Sequence, residues 1–214
     1  MRPVSDQARS LATHEVLRPE ERSRLFRHLQ GQMELAKKKG HWRARRDAVF
    51  CLLLLSTGIR VGAACDLRTG DVQVQRGKRE VRVRRAKGGK SRTVRLPDEM
   101  RAALYEYLAT MPGAGADDAL FPGTLAKPVP MSRTTGWRRW KKTLAAVGLD
   151  MEGRGCHSAR HGLGLAMWKE RGDLRLVAAQ LGHSDLRSTM IYTAPLPEDV
   201  EAALDATWPR KRKG

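Results

Sequence analysis

Four side chains in the last third of the chain could do chemistry together: His157, Arg160, His183 and Tyr192. His157 and Arg160 are three apart, so on a helix they face the same way. Leu163, Ala166 and Met167 would give that helix its buried side, and Gly172 would stop it. A second short helix, 174–181, then delivers Gly182-His183, and nine residues later Tyr192 falls on an amphipathic turn. Two histidines, an arginine and a tyrosine without a carboxylate are a poor kit for a hydrolase or a metal site. They suit a phosphodiester: cationic donors for phosphate oxygens, proton carriers, and a phenol as nucleophile.

The elements that must position these groups can be followed along the chain. Residues 1–18 carry no clear period and read as a loose arm. Pro19-Glu20-Glu21 starts a helix with Leu25, Leu29 and Met33 on one face, ended by Lys37-Lys38-Lys39-Gly40. A buried helix, 42–56, follows. Gly58 then turns the chain, and Arg60 begins another helix through Leu67. Over residues 71–96 the period becomes two: Val72/Val74, Val81/Val83 and Val94/Leu96 share a face opposite Arg82, Arg84 and Arg95. This predicts a three-stranded antiparallel sheet with one core face and one basic face. Residues 76–78 make its first turn and Gly88-Gly89 its second, flanked by Lys87 and Lys90.

A helix from Pro97-Asp98 to Met111 places Tyr107 in the core and Tyr105 on the surface, leaving Tyr192 as the tyrosine in a reactive context. The loop 112–131 leads to a helix capped by Ser132. Trp137, Trp140, Leu144 and Val147 are expected to pack inward, and Arg138, Arg139, Lys141 and Lys142 to face out towards nucleic acid. A last helix, 198–208, could dock on a neighbouring copy or fold back on its own core. The basic run 210–213 suits non-specific contact with a polyanion.

Taken in order, T-G-I-R at 57–60, K-G-G-K at 87–90, H-S-A-R-H at 157–161, L-G-H-S at 181–184 and I-Y-T at 191–193 resemble the motifs of the tyrosine recombinases, or phage integrases. The resemblance implies an α+β fold, mainly α-helical with a small three-stranded antiparallel sheet, that breaks and rejoins double-stranded DNA through a 3′-phosphotyrosine. It implies Arg60 and Arg160 on the non-bridging phosphate oxygens, Lys87 as acid for the leaving 5′-oxygen, and His157 as base for Tyr192. His183 would donate to a phosphate oxygen, His161 would support its helix, and Lys90 would contact DNA. A homo-tetramer on two DNA sites is the expected assembly, with no cofactor. The division expected is an arm and helix over 1–40 and a catalytic domain over 41–214. That leader is too short for the helical DNA-clamping domain of about a hundred residues that most such recombinases carry, which points to a short invertase-like form, a partner, or a fragment. A further departure is Ala63, where the family usually has an acid; Asp66 falls on a different helix face and is a poor substitute.

Composition bounds these readings. At 214 residues the chain can bury a real core, and a net charge of +18 with a pI near 10.7 implies a polyanionic partner. Three cysteines at irregular spacing, with Cys51 in an apolar run, fit a reduced chain of the cytoplasm, at the nucleoid, rather than a disulfide framework. The longest apolar run, 48–55, is far too short to span a bilayer, so no membrane is expected. Cys156, His157 and His161 offer a legitimate ligand spacing without a second ligand pair, so no metal is expected. Two rivals remain: an accessory DNA-binding protein of the same fold with impaired chemistry, favoured by Ala63 and the short leader, and a type IB topoisomerase-like relaxing enzyme.

Overall fold

The computed structural model describes residues 16–75, 77–84, 91–124, 129–182 and 189. Among the described residues there are seven α-helices and a small sheet: α1 (Pro19–Lys38), α2 (Trp42–Thr57), α3 (Val61–Cys65), α4 (Asp98–Leu108), α5 (Arg133–Ala146), α6 (Cys156–Arg171) and α7 (Leu174–Leu181). The strands are β1 (Val72–Gln73), β2 (Glu80–Val83) and β3 (Arg92–Arg95), antiparallel in the order β1-β2-β3. The mainly helical α+β fold expected from the sequence is the one formed.

The core is built on the second half of α2, which is apolar all round and therefore central. Every residue from Ala48 to Leu55 is buried. α1 lays Leu25, Leu29 and Ala36 on it and shares its core. α5 approaches closely because Gly136 has no side chain; a Cβ there would stand 2.9 Å from Phe50. The sheet adds Val74, Val81, Val83, Val94 and Leu96, all buried, with Val81 paired to Val72 on one side and Val94 on the other. The alternation read from the sequence is the alternation observed.

Several local expectations change. The helix opened by Arg60 ends at Cys65 rather than Leu67, and Arg60 itself caps it in an extended conformation. α4 stops at Leu108, short of Met111. In α6 the buried residues are Ser158, Ala159, Arg160, Gly162 and Gly164, while Leu163, Ala166 and Met167 are only half-buried. The physical reason is a backbone crossing: a Cβ on Gly162 would lie 2.6 Å from the Leu17 carbonyl, so this face of α6 must be small. Leu163 and Met167 pack instead on Val177 and Leu181 of α7. Trp137 is 47 % exposed, and Trp140 alone carries the indole anchor of α5.

α2 ends at Gly58 in the left-handed region (φ 64°), where a Cβ would come 2.6 Å from Leu181 and 3.2 Å from Leu163. Gly58→Ala therefore meets the left-handed penalty of about 1–2 kcal/mol and a steric clash in addition. A loss of about 2 kcal/mol or more in urea denaturation is expected, together with looser packing of α7.

Candidate phosphodiester site

The N-terminal end of α6 is held from two sides before it presents His157. The Trp140 indole N–H donates to Gly155 O at 3.0 Å, and Lys141 Nζ to Arg154 O at 3.2 Å, which ties the loop to α5. Arg154 is itself buried against Glu21, with guanidinium–carboxylate distances of 2.9 and 3.0 Å, and donates to Val16 O. Ser158 Oγ donates back to Gly155 O at 2.7 Å. α6 thus starts at a fixed point, with His157 exposed and Arg160 turned inward.

Arg160 is 4 % exposed and spans two elements: Nη1 donates to Gly58 O and Nη2 to Leu181 O, both at 2.7 Å. One guanidinium therefore joins the end of α2, the middle of α6 and the last turn of α7. The planar fork suits this task, because it stays charged and presents its donors in fixed directions. Arg60 is exposed across the same hollow, and among the described residues nothing accepts a hydrogen bond from it.

Between them lies an open cleft of about 530 Å³, lined by residues that include Arg60, Arg92, Arg133, His157 and Arg160. Partial desolvation against the cleft wall, and then the charges of Arg160 and Arg60, hold the His157 imidazole below its ordinary value, which favours the neutral, proton-accepting form. Burial and nearby Arg60 likewise depress Arg92. The cleft thus gathers several cations around one hollow, an arrangement that attracts anions. Cys156 also lines the cleft, but burial pushes its thiol up to about 12, so it is an inert wall rather than a nucleophile. Among the described residues no cluster of histidine, cysteine and acid could hold a metal ion. The His157 and His161 rings are 6.2 Å apart, centre to centre.

The structure thus brings Arg60, His157 and Arg160 together. Lys87, Lys90, His183 and Tyr192 lie outside the described residues. Arg82, Arg138 and Lys142 are exposed, as a DNA-facing surface requires. Arg84, in contrast, is tied to buried Asp71 at 2.6 Å and to Asp117 at 3.2 Å. Arg139 pairs with Asp47 at 3.0 Å, and Lys141 with Asp150. These three are braced by protein acids rather than turned freely outward: α5 lies close enough to α2 and to the loop after it for acids to reach Arg139 and Lys141, and Asp71 and Asp117 reach Arg84 at the end of β2.

Ala63 lines the cleft and leaves no carboxylate at its position. Asp66, expected on another face, also lines it, with Oδ2 3.9 Å from Arg133 Nη2. Both Arg133 and Arg92 escaped the sequence reading. Arg133 lies across α3, since a Cβ on Gly62 would meet its Nε at 2.7 Å; nothing in its spacing marks it out. For Arg92 a signal existed. It shares the parity of Val94 and Leu96, so it had to point to the core side of the sheet rather than the basic side.

A mainly α-helical domain with a small antiparallel sheet and an open cationic cleft defines a class, and comparison with known proteins agrees. The chain is 33 % identical over 170 residues to tyrosine recombinase XerD of Proteus mirabilis, covering 77 % of this chain and 52 % of that protein. It is 35 % identical over 170 residues to tyrosine recombinase XerC of Methylobacterium sp. (strain 4-46), covering 79 % and 52 %. The crystal structure of XerA recombinase superposes with a TM-score of 0.68 at 26 % identity, over 92 % of this chain and 66 % of that one. The model of the phage integrase family matches residues 15–199, and the chain belongs to that family. It spans about half the length of the curated relatives it matches.

The two arginines of the motif set should separate in a stability measurement. Arg160→Ala strands two buried carbonyls and is expected to cost about 3 kcal/mol in urea denaturation, whereas exposed Arg60→Ala should stay within about 0.5 kcal/mol.

Proposed function

We propose that the protein is a site-specific DNA strand transferase of the recombinase type, which cleaves and rejoins duplex DNA through a 3′-phosphotyrosine on Tyr192. The observation that carries this reading is the convergence of Arg60, Arg160 and a neutral-leaning His157 on one cleft, with α7 ending at Gly182, one residue before His183 and ten before Tyr192. Duplex DNA is the polyanion that the +18 charge anticipates.

The chemistry balances without an external energy source. The Tyr192 oxygen forms a bond to the scissile phosphorus and the phosphorus–O5′ bond breaks. The phenol proton passes to His157, and Lys87 supplies a proton to the departing 5′-oxygen. Rejoining reverses each transfer, because the phosphodiester energy is kept in the phosphotyrosine. Arg60 and Arg160 bind the non-bridging oxygens, where charge gathers in the transition state. His183 donates to the same phosphate. Arg82, Arg138, Lys142 and Lys90 hold the flanking backbone, which positions DNA without reading it. A homo-tetramer on two duplexes, acting at the nucleoid in the cytoplasm, completes the proposal; among the described residues no helix is long and apolar enough to cross a membrane.

Ala63 favours one second reading, an accessory DNA-binding protein with impaired chemistry. The two are separated by a nicked suicide duplex from the protein's own locus. The strand-transferase reading expects a covalent adduct on denaturing gels that disappears in Tyr192→Phe and falls by about a hundredfold or more in rate in Arg60→Ala. Salt-sensitive binding with no adduct would leave the accessory reading standing.

The pH dependence follows from His157. A base must be neutral, and a pKa held below the ordinary value of about 6.5 keeps it neutral in more acidic solution. The acid limb of adduct formation is therefore expected to have its midpoint below about 6.5 and to vanish in His157→Gln. A midpoint above that value would remove His157 from the role of base.

A further inference from the structure

Among the described residues β3 is an edge strand, and its open side is not left to solvent. The Gln180 side chain of α7 stands in for a further strand. Its Oε1 accepts from Arg95 N at 3.2 Å, and its Nε2 donates to Arg95 O at 3.1 Å and to Thr57 O at 3.3 Å. Three residues earlier on the same strand, Arg92 reaches back to the same turn: Nη1 donates to Gln180 O at 2.7 Å. The last carbonyls of a helix have no partner within it. In α7, Gln180 O is taken by Arg92 and Leu181 O by Arg160, and both arginines also line the cleft. The next residue, Gly182, ends the helix in the left-handed region (φ 67°), and a Cβ on it would fall onto the Arg92 guanidinium.

We propose that Arg92 is a positioning residue for strand transfer: it locks the last turn of α7 and Gly182 against β3, and so fixes where the chain departs towards His183 and Tyr192. The inference rests on the strand-transferase reading. It explains why a cation is kept beside Arg60 at an electrostatic cost. The positive charge meets the negative end of the α7 dipole. Arg92 also sits two residues beyond Lys90, so the strand that follows the lysine turn is the strand that carries the clamp.

Full-length Arg92→Ala, Arg92→Lys and Gln180→Ala test this by two independent readouts. Amide hydrogen exchange at 178–182 is expected to quicken at least about tenfold in Arg92→Ala and in Gln180→Ala, and less in Arg92→Lys, which keeps one donor. Unchanged exchange overturns the inference whatever the chemistry. On a saturating suicide duplex, Arg92→Ala should form adduct about a hundredfold more slowly, with duplex affinity nearly unchanged and partial recovery in Arg92→Lys. Equal losses of affinity and rate would make Arg92 an ordinary phosphate contact and overturn the proposal. A duplex with sulfur as the bridging 5′ atom needs no proton on its leaving group. Arg92→Ala should stay slow on it while Lys87→Ala recovers; recovery of Arg92→Ala would assign it to the leaving-group acid instead. Absence of adduct in the wild type would fail the strand-transferase reading, and the exchange result would still judge the clamp.

Discussion

A single buried guanidinium sets the geometry on which the cleft depends. Arg160 cannot be withdrawn without stranding Gly58 O and Leu181 O, two carbonyls from helix ends that are distant in sequence. Breaking such a buried, charge-assisted arrangement is costly because the desolvated partners find no water in exchange. The same requirement explains Gly58, whose missing Cβ admits Leu181 and Leu163. It also explains the small face of α6, which lets residue 17 cross it at Gly162. The motif arginine is thus as much a tie between α2, α6 and α7 as a group available to a phosphate.

Around that tie the chain accumulates positive charge. Acids are used mainly to brace arginines outside the cleft: Glu21 holds Arg154, Asp71 holds Arg84, and Asp47 holds Arg46 and Arg139. In the cleft the balance reverses. Asp66 is the acid lining it, and it stands 3.9 Å from Arg133, both largely exposed. Burial first, and then repulsion from neighbouring arginines, disfavours the charged forms of His157 and Arg92. Such a surface attracts anions.

Much of this was legible in one dimension, because it depends on spacing. The three-position step from His157 to Arg160 places both at the start of one helix, and the two-residue alternation of Val81, Val83 and Val94 fixes which sheet face is buried. Ser132 announced its helix, accepting from Thr135 N at 3.1 Å. What escaped was tertiary. That Trp140 rather than Trp137 is the anchor depends on Gly155 O lying within reach. That Arg84, Arg139 and Lys141 are braced depends on acids 13, 92 and 9 positions away in the chain. Arg92 was hidden for a different reason: a charged residue on the core-side parity of a strand was overlooked in favour of its exposed neighbours.

The most direct measurement is the identity and polarity of the protein–DNA bond. The trapped adduct would be digested with nuclease and trypsin, and the peptide spanning 188–210 sequenced by mass spectrometry. The account predicts a nucleotide attached through its 3′-phosphate to Tyr192. Attachment to another residue, or through a 5′-phosphate, would contradict it.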